Sequence, residues 1–250
     1  MTDNIGFIPA DWPAPAGVRA GTTLRTGGVS SAPFTSFNLG DRAGDQPDAV
    51  ATNRARLVRE LALPGEPAWL HQVHGTSVID AAQSQSATAA DASVATDEGA
   101  VCVVLTADCL PVLFCAADGS CWGAAHAGWR GLAAGVLEAT VAALPASPAR
   151  LLAWLGPAIG PARFEVGQEV HDAFCTAHPE DAAAFAPGAV TGKYLADIHA
   201  LARARLRRLG IGSVHGGGLC TVSDAERFYS YRRDGDTGRM ASLVWRVAAQ

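Results

Sequence analysis

Residues 101–132, VCVVLTADCLPVLFCAADGSCWGAAHAGWRGL, constrain this chain more than any other stretch. Two apolar runs in it, 101–106 and 121–125, read as buried strands. Each ends in a cluster of reactive residues: Ala-Asp-Cys-Leu-Pro after the first, His-Ala-Gly-Trp-Arg-Gly after the second. Ligands in open α/β sheets sit just beyond strand ends. Consecutive strands that deliver Cys109 and His126 to such positions therefore define a candidate site.

Composition narrows what that site serves. The chain has 250 residues and no Pro/Gly/Ser linker between self-sufficient halves, so residues 1–250 are expected to form a single domain. Hydrophobic residues make up 49%, enough for a sizeable core. The formal net charge is −5 and the basic residues are scattered, which argues against nucleic acids and anionic membranes as main partners. Six Cys lie mostly inside apolar runs and form no Cys-x-x-Cys, so free thiols in a reducing compartment are expected. The start, MTDNIGFIPADWP, lacks the basic and apolar regions of a signal peptide, and Asp108 and Pro111 interrupt the longest apolar stretch. The expected location is the cytoplasm; no motif sets an oligomeric state.

Taken in order, residues 18–24 read as a short strand after a Pro-rich lead. In TLRTGGVS, at 23–30, the glycine pair behind Arg25 lets backbone approach an anion or simply makes a turn. Residues 45–61 carry helical spacing, with Asp45 or Asp48 as a cap. AWLHQVHGTSVID, at 68–80, reads as a strand broken at Gly75. Extended, it points His71 and His74 to opposite faces, and Gly75 allows a turn that brings His74 into a pocket. Residues 81–96 read as a loop, 129–144 as one strong helix, 151–155 as a strand and 170–178 as a helix. Residues 194–209 read as a second confident helix, 211–214 and 219–222 as short strands, 227–235 as a loop and 242–247 as a closing strand. His126 and Arg130 approach the start of the 129–144 helix, an end that favours anions.

A Cys, a His and a further His from a third strand make a His2Cys set suited to Zn²⁺, with a fourth position open to water. Zinc lowers the pKa of its water to about 7 and supplies hydroxide at neutral pH. Against this stands the commoner fate of such residues, a buried thiol and satisfied core histidines. Cys109 as a nucleophile, with His126 or His74 as base and Asp108 nearby, competes for the same thiolate. The ligand role is preferred. Multicopper chemistry needs closely spaced His pairs, whereas the chain has seven His and no His-x-His.

QVHGTSV, TADCLPVLF and HAGWRGL together resemble the YfiH-type family, also called laccase-domain or polyphenol-oxidase-like proteins. The likeness spans nearly the whole chain, through TLRTGGVS, SFNLGDRAGD, GPAIGPARFEVGQEV, YLADIHALARARLRRLGI and FYSYRRDGDTGRM. It implies an α/β fold, a sandwich of mixed β-sheets flanked by helices, related to cysteine-hydrolase-like toxins. It implies a metal, usually zinc and less readily copper, held by His74, Cys109 and His126, the same residues being catalytic. His71 falls outside the pattern. The implied activities are phosphorolysis of adenosine, inosine and methylthioadenosine and hydrolytic deamination of adenosine, with nucleoside and phosphate as partners. The alternatives are an amide hydrolase editing UDP-linked peptidoglycan precursors, a laccase and a non-catalytic metal-binding domain. Arg25, Arg130 and Arg232 are candidates to hold the substrate anion. Trp129 and Tyr229 are candidates to stack a purine, although a core role suits both better.

Overall fold

The computed structural model describes residues 4–83 and 88–247. The chain opens with β1 (Phe7–Pro9), β2 (Val18–Thr23) and α1 (Pro47–Glu60). Short strands β3 (Pro67–Ala68), β4 (Val78–Asp80) and β5 (Ala92–Ala95) lead to three longer ones, β6 (Val101–Thr106), β7 (Leu110–Ala116) and β8 (Trp122–Ala127). Then come α2 (Trp129–Ala134), α3 (Val136–Ala143), β9 (Leu151–Leu155), β10 (Glu165–Gly167), α4 (Gln168–Cys175) and β11 (Phe185–Pro187). The chain closes with β12 (Lys193–Ala196), α5 (Ile198–Arg208), β13 (Ser213–Gly216), α6 (Tyr231–Asp234) and β14 (Met240–Arg246).

Two mixed sheets pack face to face, one ordered β1-β2-β14-β6-β3 and the other β13-β9-β7-β8-β5-β4; β10-β12-β11 form a small third sheet. The period of two in each strand decides the layers. In β7, Leu110, Val112, Phe114 and Ala116 face the helices α2–α5, while Leu113 and Cys115 face the other sheet. In β6, Cys102 and Val104 meet them there, and Val101 and Val103 turn outward beneath Leu57 of α1. The result is a four-layer sandwich, helix–sheet–sheet–helix, as the resemblance implied.

Several elements differ from expectation, each for a local reason. Cys109 and His126 do not come from consecutive strands. β7 lies between them, and β6 and β8 belong to different sheets, so residues 107–109 cross from one sheet to the other. The expected helix at 129–144 is two helices, broken at Gly135 with φ +102°. Of 194–209, the first residues form β12, paired with β10, and Asp197 caps a helix that starts only at Ile198 by accepting from the Ala200 amide at 2.9 Å. Residues 68–80 are not one strand: Ala68 ends β3, which pairs with β6, His71 makes a single bridge with Ala89, and Val78–Asp80 pairs with β5. The expected loop at 81–96 contains β5, buried between β4 and β8; residues 84–87 of it lie outside the described residues. Residues 219–222 make a single bridge, Ala158 with Cys220. Within 227–235 a short helix, α6, replaces part of the loop. The α1 cap position is Gln46, and Asp45 instead bonds the Asn38 side chain.

Candidate metal centre

Three separate arms bring the donor residues together. His126 lies on β8, buried, and its amide donates to the Asp91 carbonyl at 2.7 Å. Cys109 sits at the sheet-to-sheet crossing, directly after Asp108. Asp108 holds a left-handed φ of +91°, uncommon for a residue with a side chain. Its buried carboxylate accepts from Thr221 Oγ1 (2.5 Å), Ser230 Oγ (3.0 Å) and the Arg232 amide (2.6 Å). These three bonds fasten the crossing to the C-terminal segment and offset the backbone strain. His74 is the exposed arm; it takes φ +61° just before Gly75, the turn the sequence allowed.

The ligand atoms of His74, Cys109 and His126 lie within 4.8 Å of one another. Cys109 Sγ is 3.9 Å from His74 Nε2, and the two imidazole rings meet edge to face with centroids 4.8 Å apart. Gly128 closes one side: a Cβ there would stand 2.9 Å from Cys109 Sγ and 3.1 Å from His74 Cδ2. One thiolate and two imidazoles, with no room wasted behind them, fit a single Zn²⁺-type ion with a fourth position open. Among the described residues, this is the one group of three or more His, Cys, Asp or Glu side chains spaced to hold an ion.

Asp91 is the residue that sequence reasoning missed. It is fully buried, and its carboxylate accepts from His126 Nδ1 (2.8 Å) and from the amides of Val73 (3.1 Å), His74 (2.9 Å) and Gly75 (2.7 Å). The one available signal was an acid inside the small, apolar run AADASVA. The electrostatics follow from this packing. Burial alone would raise the Asp91 carboxyl, but the His126 and amide bonds outweigh it and hold it below the usual range. Burial likewise disfavours the Cys109 thiolate, yet the His126 imidazolium and bonds from both histidines bring that thiol down to about 6. Burial opposes charge on His126 too, and Cys109 and Asp91 overcome it, lifting the imidazole to about 9.

A pocket of about 270 Å³ opens from the donor set. His74 and Cys109 share its walls with Trp129, Phe164, Tyr231, Arg130 and Arg232. Two expected anion holders, Arg130 and Arg232, are thus brought in. Arg130 is exposed and stacks over Trp129 at 4.5 Å. Arg232 bonds the Glu165 carbonyl through one terminal nitrogen. Arg25 is placed elsewhere: it bonds the carbonyls of Thr35 and Ala225 and lies over Tyr229. Tyr229 is a core residue whose hydroxyl donates to the Phe34 carbonyl at 2.6 Å. Phe164 and Tyr231 were not singled out in the sequence. A wider cleft of about 710 Å³, beside Arg19 and Trp245, includes none of the donors.

Fold and donor set together define an α/β sandwich protein with a His, Cys and His group spaced to hold one metal ion near the crossing of its two sheets. Residues 19–247 match the family described as multi-copper polyphenol oxidoreductase laccase, and the chain belongs to that family. The protein named purine nucleoside phosphorylase PA4543, from Pseudomonas aeruginosa, is 57% identical, over 96% of this chain and 98% of that one. Purine nucleoside phosphorylase YfiH of Escherichia coli is 51% identical, over 96% and 99%. The crystal structure of Neisseria meningitidis protein NMB0706 superposes with a TM-score of 0.94 at 53% identity, covering 97% of this chain and all of that one. The likeness to YfiH-type proteins read from QVHG, ADC and HAGWRG is thereby established.

Proposed function

We propose that this protein is a zinc-dependent purine nucleoside phosphorylase acting on adenosine, inosine and methylthioadenosine, and that the same site deaminates adenosine hydrolytically. One observation carries the reading: a single pocket lined by His74 and Cys109 of the His–Cys–His group also holds two guanidiniums and three aromatic rings. The names of the relatives that match nearly the whole chain support the reaction class.

In this reading His74, Cys109 and His126 hold the ion, which when bound supplies Lewis acidity and an acidified water. Arg130 has no hydrogen bond or ion pair among the described residues, so its guanidinium is free to take two phosphate oxygens. Arg232 keeps its remaining guanidinium nitrogens for the same anion. Phe164, Trp129 and Tyr231 offer faces on which a purine stacks. Buried Ile159 and Ile198 exclude water behind it. Six free cysteines support a reducing, cytoplasmic location, and among the described residues no helix is long and apolar enough to cross a membrane.

The test is incubation of zinc-loaded protein with each nucleoside, with and without inorganic phosphate. Adenine and ribose 1-phosphate are expected from adenosine when phosphate is present, and inosine without it. A folded, zinc-loaded protein that leaves nucleosides intact sinks the reading, and release of an amino acid from a UDP-linked muropeptide would replace it.

A further inference from the structure

We propose that Asp91 is the positioning residue of the metal centre, a latch that fixes two of its three ligand arms at once. The inference rests on the metal reading above, and it follows from counting acceptors and donors. An ionised carboxylate has about four lone-pair sites and no proton to give. Asp91 fills four: Oδ1 takes His126 Nδ1 and the His74 amide, and Oδ2 takes the amides of Val73 and Gly75. Because the carboxylate only accepts, His126 must carry its proton on Nδ1. Nε2 is then the nitrogen left for the ion. The same group gathers three consecutive amides of the exposed strap that bears His74. Apart from Cys109, itself a donor of the set, no other side chain is hydrogen-bonded to both arms among the described residues. The strap also rests on α2, where a Cβ on Gly131 would meet the Gly75 carbonyl at 3.0 Å. The sheet thus sets His126, and Asp91 transmits that placement to His74.

An amide in place of the carboxylate cannot satisfy this arrangement in either orientation. With its NH2 toward His126, it donates to Nδ1, moves the imidazole proton to Nε2 and opposes the His74 amide. With its NH2 toward the strap, it faces the Val73 and Gly75 amides, donor against donor. Either way one arm loses its aim while the side-chain volume is unchanged.

The experiment compares zinc affinity of the wild-type protein and Asp91→Asn by competition with a chromophoric chelator. Far-UV circular dichroism of the metal-free proteins monitors the fold. Asp91→Asn is expected to keep the fold and bind zinc 10–100-fold more weakly, the usual effect of losing a partner of a metal-bound imidazole. Equal affinities overturn the proposal while leaving the metal reading intact; a wild-type protein that takes up no zinc overturns both. Should Asp91→Asn not fold, imidazole ¹⁵N spectra of the zinc-loaded wild-type protein decide. A proton on His126 Nδ1 and zinc on Nε2 are expected, and zinc on Nδ1 refutes the latch.

Discussion

At the scale of single residues, the site is governed by what surrounds each donor. Cys109 is the clearest case. Its thiol is brought down to about 6, whereas burial pushes those of Cys102 and Cys115 up to about 12. In the metal-free protein, iodoacetamide at pH 7 is therefore expected to label Cys109 and spare Cys102 and Cys115. The Cys109 rate should fall as pH drops through 6, because the thiolate is the nucleophile; peptide mapping by mass spectrometry reads the result, and bound zinc should protect the site. Gly128 has an ordinary φ of −57°, so alanine there costs nothing in backbone terms, and the whole burden falls on Cys109 and His74. Gly128→Ala should weaken zinc binding by about 10-fold or more, as perturbing a ligand's support does. Chemical denaturation of the metal-free variant should stay within about 0.5–1 kcal/mol of wild type. Arg130→Ala, losing a guanidinium with no structural bond, should raise the KM for phosphate about 10-fold and leave the zinc content unchanged, which steady-state kinetics with metal analysis checks.

The elements show how much of this was legible in advance. His74 and Cys109 could be read because each sits where the backbone does something unusual, beside Gly75 and after Asp108, and His126 because it lies near the end of a buried strand, in the short motif HAGWRG. Asp91 left none: its partners are three amides and an imidazole from other segments, and amides carry no residue code. The strand β7 went unread because Pro111 near its start looks like a stop, although the strand runs on through Ala116. The helix break at Gly135 went unread for an energetic reason. Leu132, Val136, Leu137 and Val141 all reach the same core on either side of it, so the apolar stripe continues while the backbone does not. Glycine is needed there because φ is +102°, and a Cβ would meet nothing closer than 3.6 Å. Gly135→Ala should thus cost about 1–2 kcal/mol, all of it backbone strain, measurable by urea denaturation with no loss of zinc affinity.

At the scale of the whole molecule, the site exists only because the two sheets are in register. The crossing at Asp108 joins them, and β14 secures the first: it pairs with β2 on one side and β6 on the other, with Ser242 Oγ and Thr22 Oγ1 bonded at 2.7 Å in the buried interior. Deleting residues 240–247 splits that sheet and strips the inter-sheet core of Val244. The truncated chain is expected to show no cooperative unfolding transition in a calorimeter and to bind no zinc. A sheet also ends somewhere, and here three border strands contain proline: Pro9 in β1, Pro67 in β3 and Pro187 in β11. These strands are only two or three residues long. A border with unpaired amides templates the addition of a foreign strand, and proline has no amide proton to offer. Both ends of the first sheet and one end of the small third sheet are in this way made poor seeds for chain-to-chain growth into fibrils.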